Sequence, residues 1–369
     1  MPAQVAELYE LQRFYDQGLY GQGETIAFVE FCLPNARDDA AFWSRFSVRP
    51  ELNTPATARV LPGGRSQGAA LDETDLDLQY AGGLAPGARL ATYVVDGGAP
   101  LEEFLPAMGA ALKAAAADGA RIVSVSLGAG ELELGDLGPL TDAKTGQVWP
   151  NAMSFMADLD AWLESSGLLC FVAAGDSGNY AAFPYSALVQ ASWPATQTQV
   201  VAVGGTQLVT PGDLGSGEEA WGGQTLDPSA AGYNAANTLP RGSGGGGPSA
   251  FLVPAPWQRQ QGQQQRLTPD VAAFAGPLWI VDRGRKTTIW GTSASAPIMA
   301  AVAALYHQAT GRHLDQRTLY GAAVDVVAGN NDNSSLLEAG LFSFSTAGPG
   351  LDGCTGMGVV RASRLPGVG

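Results

Sequence analysis

Apolar positions fall along this chain in two alternating patterns. Short runs rich in β-branched residues, at 26–31, 90–95, 122–126, 168–173 and 200–203, have the length and make-up of buried strands. Longer stretches at 101–118, 152–166 and 293–308 predict helices. Strands alternating with helices predict an α/β protein with a mainly parallel β-sheet flanked by helices on both faces. Sites on such sheets lie at the carboxyl ends of the strands. The patterns continue without a break, so a single domain over 1–369 is expected.

The last of these helical stretches opens on Gly291-Thr292-Ser293-Ala294-Ser295-Ala296-Pro297. Alone, that string reads as a turn and a helix cap. As a nucleophile, Ser293 needs a base to take its proton, and imidazole is the usual one. The only histidines, His307 and His313, both lie C-terminal to it. Carboxyls are the other candidates. Glu73 and Asp77 stand four apart, so on a helix they share a face, which for an isolated pair is commonly just solvated. Ala174-Gly175-Asp176-Ser177-Gly178 places Asp176 where a buried strand emerges; alone it would be a loop.

In this order the three pieces resemble the sedolisin family, the serine-carboxyl peptidases with an enlarged subtilisin-like fold, and its kumamolisin-type bacterial members in particular. Further landmarks span nearly the whole chain: Gly21-Gln22-Gly23-Glu24-Thr25, Ala85-Pro86-Gly87-Ala88, Val203-Gly204-Gly205-Thr206 and Ser243-Gly244-Gly245-Gly246-Gly247-Pro248-Ser249. The glycine run alone would be a flexible linker; its place between apolar segments argues for a packed loop. The resemblance implies an endopeptidase that acts through an acyl-enzyme on Ser293. Glu73 is then the general base, Asp77 its partner, and protonated Asp176 the donor to the oxyanion. A free carboxyl titrates near ~4, so a donor of this kind favours acidic pH.

The resemblance also implies one structural Ca2+ near residues 325–352. Its ligands would be the Asp325 and Asp352 side chains and the carbonyls of Val326, Gly348 and Gly350, an all-oxygen set suited to a hard cation. Without the resemblance, both stretches read as turns. One position departs from the family pattern. Ser124-Val125-Ser126-Leu127-Gly128 has leucine where members commonly carry a tryptophan that joins a network with a glutamate matching Glu30. Leucine cannot donate a hydrogen bond, so the orientation of Glu73 is expected to be secured in another way.

Charge narrows the partners. A net charge of −15 and a pI near 4.5 argue against nucleic acid and suit an acidic medium. Peptide or protein substrates, a monomer, and a propeptide outside this chain are expected. Three cysteines, Cys32, Cys170 and Cys354, imply no disulfide framework. No run of about twenty apolar residues indicates a membrane span, and no signal-peptide pattern opens the chain. Family habit favours an extracellular mature domain, with an intracellular enzyme as the alternative if Met1 is the native start. Two other functions stay open: a hydrolase with a histidine base, and a catalytically weak or silent member that binds peptides or a partner protein.

Overall fold

The computed structural model describes residues 1–64, 71–223 and 242–368. Among these, ten strands form one sheet: β1 (Thr25–Glu30), β2 (Thr57–Val60), β3 (Arg89–Val94), β4 (Ile122–Val125), β5 (Leu169–Ala173), β6 (Val201–Leu208), β7 (Glu218–Ala220), β8 (Val271–Phe274), β9 (Ala323–Val324) and β10 (Val359–Val360). The order is β9-β10-β8-β6-β5-β4-β1-β3-β2, with β7 lying antiparallel on β6. The central pairs are parallel, and the β9–β10 pair at one edge is antiparallel. The longer helices are α1 (Ala36–Phe46), α2 (Leu71–Leu84), α3 (Leu101–Ala117), α4 (Ala152–Ser166) and α5 (Thr292–Thr310).

Both faces of the sheet are buried, which is why its central strands read as continuous apolar runs. Side chains alternate between two cores because successive residues of a strand point to opposite faces. Ile26 and Phe28 of β1, with Phe171 of β5, join the core under α2 and α5; Ala27, Val29, Cys170 and Val172 join the one under α3 and α4. Helix α5 is largely enclosed, with residues 292–306 all buried, and it packs on α2 and across β4, β5, β6 and β8. Alanines at 294, 296, 300, 301, 303 and 304 let α2 and the sheet come close. Glycines do the same on α2. A Cβ on Gly82 would stand 2.7 Å from the Trp43 ring of α1, and one on Gly83 would stand 2.7 Å from the Pro2 ring.

The predicted strands and helices all appear, with ends shifted by a residue or two, except that the run at 200–203 continues as β6 to Leu208. The glycine segment is a packed loop over its described part, 242–249. The Gly245 N–H donates to the Gly175 carbonyl at 2.6 Å, and a Cβ on Gly245 or Gly246 would collide with the Ala174 or Gly353 carbonyl. Cys170 and Cys354 are buried thiols. No helix among the described residues is long and apolar enough to cross a membrane.

Candidate active site

Three elements deliver the four candidate side chains to one place. Ser293 is the second residue of α5 and is 7 % exposed. Helix α2 carries Glu73 in its first turn and Asp77 one turn later. Asp176 follows the carboxyl end of β5 by three residues. Glycine at 291 is needed for the approach, since a Cβ there would lie 3.0 Å from Asp176 Oδ2.

Asp176 is clamped through one oxygen. Its Oδ1 accepts from the Thr292 N–H and from the Thr292 hydroxyl, both at 2.8 Å. The Gly175 N–H in turn donates to that hydroxyl at 3.1 Å. Oδ2 takes no hydrogen bond among the described residues. Desolvation by the surrounding protein raises the Asp176 pKa, and the two bonds from Thr292 oppose that shift.

The α2 carboxyls lie deeper. Glu73 is half-buried, and its Oε1 is enclosed without a hydrogen-bond partner among the described residues. Burial, then the charges of Asp176 and Asp72, push its pKa up to about 8, against a hydrogen bond with the Ser293 side chain. Asp77 is fully buried, with Ser126 Oγ 2.8 Å and 3.0 Å from its two oxygens and 3.3 Å from the Ser293 carbonyl oxygen. Burial, then the charges of Glu30 and Glu73, hold its pKa well above the usual range. Glu30, at the end of β1, is buried and raised to about 8, mainly by burial and then by the Glu73 charge. The contact between Asp77 and Glu30 raises the first and lowers the second, which favours the proton on Asp77.

The departure at position 127 now has a physical setting. Leu127 is buried in the apolar core under α3 and α4, while Thr74 Oγ1 donates to Glu30 Oε2 at 3.0 Å. Thr74 and Ser126 are the partners that sequence reasoning missed. The available signals were that Thr74 sits between Glu73 and Asp77, and that Ser126 stands at the carboxyl end of β4. Ser295 does not compete with Ser293, because it is fully buried and donates to the Ala273 carbonyl at 2.8 Å. Nor can a histidine reach the site. His307 lies fourteen residues along α5 from Ser293, about 21 Å at 1.5 Å per residue, where it is 2.8 Å from Glu24 and stacked on His313.

The C-terminal candidates also converge. Gly350 N–H donates to Asp325 Oδ2 at 2.8 Å, and Gly348 N–H to Asp352 Oδ2 at 2.9 Å. Thr355 Oγ1 lies 3.2 Å from the Val326 carbonyl oxygen and 3.1 Å from Asp352 Oδ2, which brings that carbonyl beside the carboxylate. The donor set is all oxygen, and no basic side chain among the described residues pairs with Asp325 or Asp352. It fits a hard cation.

These raised pKa values set the pH dependence of stability. A buried acid that titrates at about 8 when folded and at 4.5 when unfolded, as for Glu30 and Glu73, keeps a proton that the unfolded chain has lost. Its contribution is complete below the unfolded value and falls as pH rises through the window to the folded value, by at most about 1.4 kcal/mol per pH unit per group. The melting temperature in chelator should therefore fall steadily between pH 5 and pH 8. A melting temperature that rises over that interval would show that these acids are ionised in the folded protein.

Comparisons place the fold among known proteins. Residues 63–340 match the model of the subtilase family of peptidases. Kumamolisin from Bacillus sp. (strain MN-32) is 30 % identical over 394 residues, covering 99 % of this chain and 62 % of kumamolisin. Sedolisin from Pseudomonas sp. (strain 101) is 28 % identical over 315 residues, covering 79 % of this chain and 48 % of sedolisin. The chain thus spans about half to three-fifths of the length of these relatives. The structure of Pseudomonas sedolisin, a serine-carboxyl proteinase complexed with pseudo-iodotyrostatin, superposes with a TM-score of 0.71 at 22 % identity, covering 97 % of this chain and 94 % of that one. With a subtilisin-like sheet, a serine opening a buried helix and this similarity to kumamolisin and sedolisin, the chain belongs to the subtilase family.

Proposed function

We propose that residues 1–369 act as one catalytic domain that hydrolyses internal peptide bonds through an acyl-enzyme on Ser293. The observation that carries this reading is the meeting of Ser293 with Glu73 across the α5–α2 contact, beside an Asp176 fixed by Thr292. Ser293 Oγ attacks the scissile carbonyl carbon while Glu73 takes its proton. Glu73 then delivers that proton to the leaving amine, and the amine departs. In the second half Glu73 takes a proton from water, whose oxygen attacks the acyl carbon, and Ser293 leaves with its hydroxyl restored.

Asp77 donates to Glu30 and so presents a neutral neighbour to Glu73, which can ionise without facing two further negative charges. Asp176 donates from Oδ2 to the developing oxyanion, because Oδ1 is already engaged by Thr292. Gly291 offers no side chain to cap α5, so the positive end of that helix also faces the developing charge.

The productive state has Glu73 ionised and Asp176 protonated, one proton between them. A singly protonated pair is most abundant between its two titrations. The kcat/KM profile should therefore be bell-shaped, because burial raises both acids and activity needs one of the two protons gone and the other kept. Digestion of peptides from pH 3 to pH 9, with products identified by mass spectrometry, tests this. Absence of cleavage at every pH, with peptide binding retained, would leave a silent binding protein.

The Asp325 and Asp352 carboxylates, with the carbonyls of Val326, Gly348 and Gly350, would hold one structural calcium ion. Such an ion ties the end of the chain to the β9–β10 edge and stabilises the folded state by mass action, about 2.7 kcal/mol at a hundred times its Kd. Chelation should lower the melting temperature, and Asp352→Ala should reduce that sensitivity. A melting curve unchanged after verified metal removal would exclude the ion.

A further inference from the structure

A second group of carboxyls lies on the far side of α2 from Glu73 and takes no part in the proposed chemistry. Asp38 belongs to the first turn of α1, Asp75 to α2, and Asp282 to the end of the strand Leu278–Asp282, which pairs with Arg285–Ile289. One carboxylate oxygen from each lies within 4.8 Å of the others. Asp75 is completely buried, yet neither of its oxygens has a hydrogen-bond partner among the described residues. Asp39, beside Asp38, is also completely buried.

Buried carboxyls are normally paired or hydrogen-bonded. Here the basic groups are elsewhere. Among the described residues no ion pair reaches Asp38, Asp39 or Asp75, and Arg283 Nε comes only to 3.7 Å of Asp282 Oδ1. Lys286, on the paired strand, lies over the Trp279 ring at 3.8 Å. Asp38 is held in place by the Gly284 N–H, at 3.0 Å and 3.1 Å from its two oxygens, and by Asn35 Nδ2 at 2.6 Å. Neither Asp75 oxygen is hydrogen-bonded to Asp38 or Asp282 among the described residues. Calcium–oxygen bonds of 2.3–2.6 Å place opposite ligands about 4.6–5.2 Å apart. The three oxygens are thus close enough to share one such ion.

We propose that Asp38, Asp75 and Asp282 form a divalent-cation site for a calcium-sized hard ion, separate from residues 325–352. The ion would tie three elements together at the helix that carries Glu73 and Asp77, so its effect on that helix is one of positioning.

The test is calcium stoichiometry by equilibrium dialysis of the full chain at pH 7.5, for the wild type, Asp75→Asn and Asp282→Asn. Both variants should bind one ion fewer per chain than the wild type. Asp352→Ala should keep this ion and lose it only when Asp75→Asn is added, which separates this site from the C-terminal one. Asp282 is partly exposed at a hairpin end, so its variant tests the site even if the Asp75 variant folds poorly. In chelator, Asp75→Asn should melt higher than the wild type, and saturating calcium should reverse that order. Equal stoichiometry in the wild type and both variants, including no bound calcium in any of them, overturns the site.

Discussion

Ser293→Ala is expected to lower peptide cleavage by on the order of 10⁴–10⁶ in kcat while the protein stays folded. Losses of that size accompany removal of a serine nucleophile that acts as a unit with its base, the residue left over coming from substrate binding and oxyanion stabilisation. The fold should tolerate the change: position 293 already lies among alanines on α5, and its hydroxyl makes contact with Glu73 rather than with a structural backbone partner. Ser295→Ala makes the complementary control. It removes the bond to the Ala273 carbonyl and should cost stability, about 1 kcal/mol, with activity at permissive temperature largely kept. Normal cleavage by Ser293→Ala would remove the acyl-enzyme reading.

Asp176→Ala should cost about 10²–10³ in kcat, the range typical for losing one oxyanion donor, and Asp176→Asn should retain more activity than Ala. Asparagine keeps the shape, and its carbonyl oxygen can still accept from Thr292 while its N–H group takes the place of Oδ2. The shape of the pH profile is the sharper measurement. With a titrating Asp176 the alkaline limb reports loss of the last proton from the Glu73–Asp176 pair; with asparagine only Glu73 need ionise, so that limb should disappear. An Asn variant with the wild-type alkaline limb, or negligible losses in both variants, would count against the donor role.

The central strands were legible because burial on both sides writes an uninterrupted apolar run into β1, β4 and β5. Edge strand β2 (Thr57–Val60) was not, because all of its residues are exposed and no core face constrains them. Helix α1 escaped for a related reason: it buries mainly Phe42 and Trp43, and its two buried aspartates disguise the rest of its inner face. In the site, local spacing could relate only Glu73 to Asp77. Their meeting with Asp176 and Ser293 spans more than two hundred residues of chain, and family resemblance rather than periodicity suggested it. Thr74 and Ser126 were invisible for a further reason, since a small hydroxyl in a helix or strand leaves no pattern until its partner is known.

The nucleophile and its base sit on neighbouring buried helices, with no loop between them to absorb small displacements. The distance between the two groups is consequently a property of the alanine-rich α5–α2 interface, as the stroke of an engine is a property of its block. A methyl added at Ala296 or Ala300, remote from any substrate, would act as a shim that moves Glu73 away from Ser293 without altering either. Rate-changing substitutions should therefore be sought in the interior of this protein as much as around its cleft, and variants found there should differ in turnover while binding peptides alike.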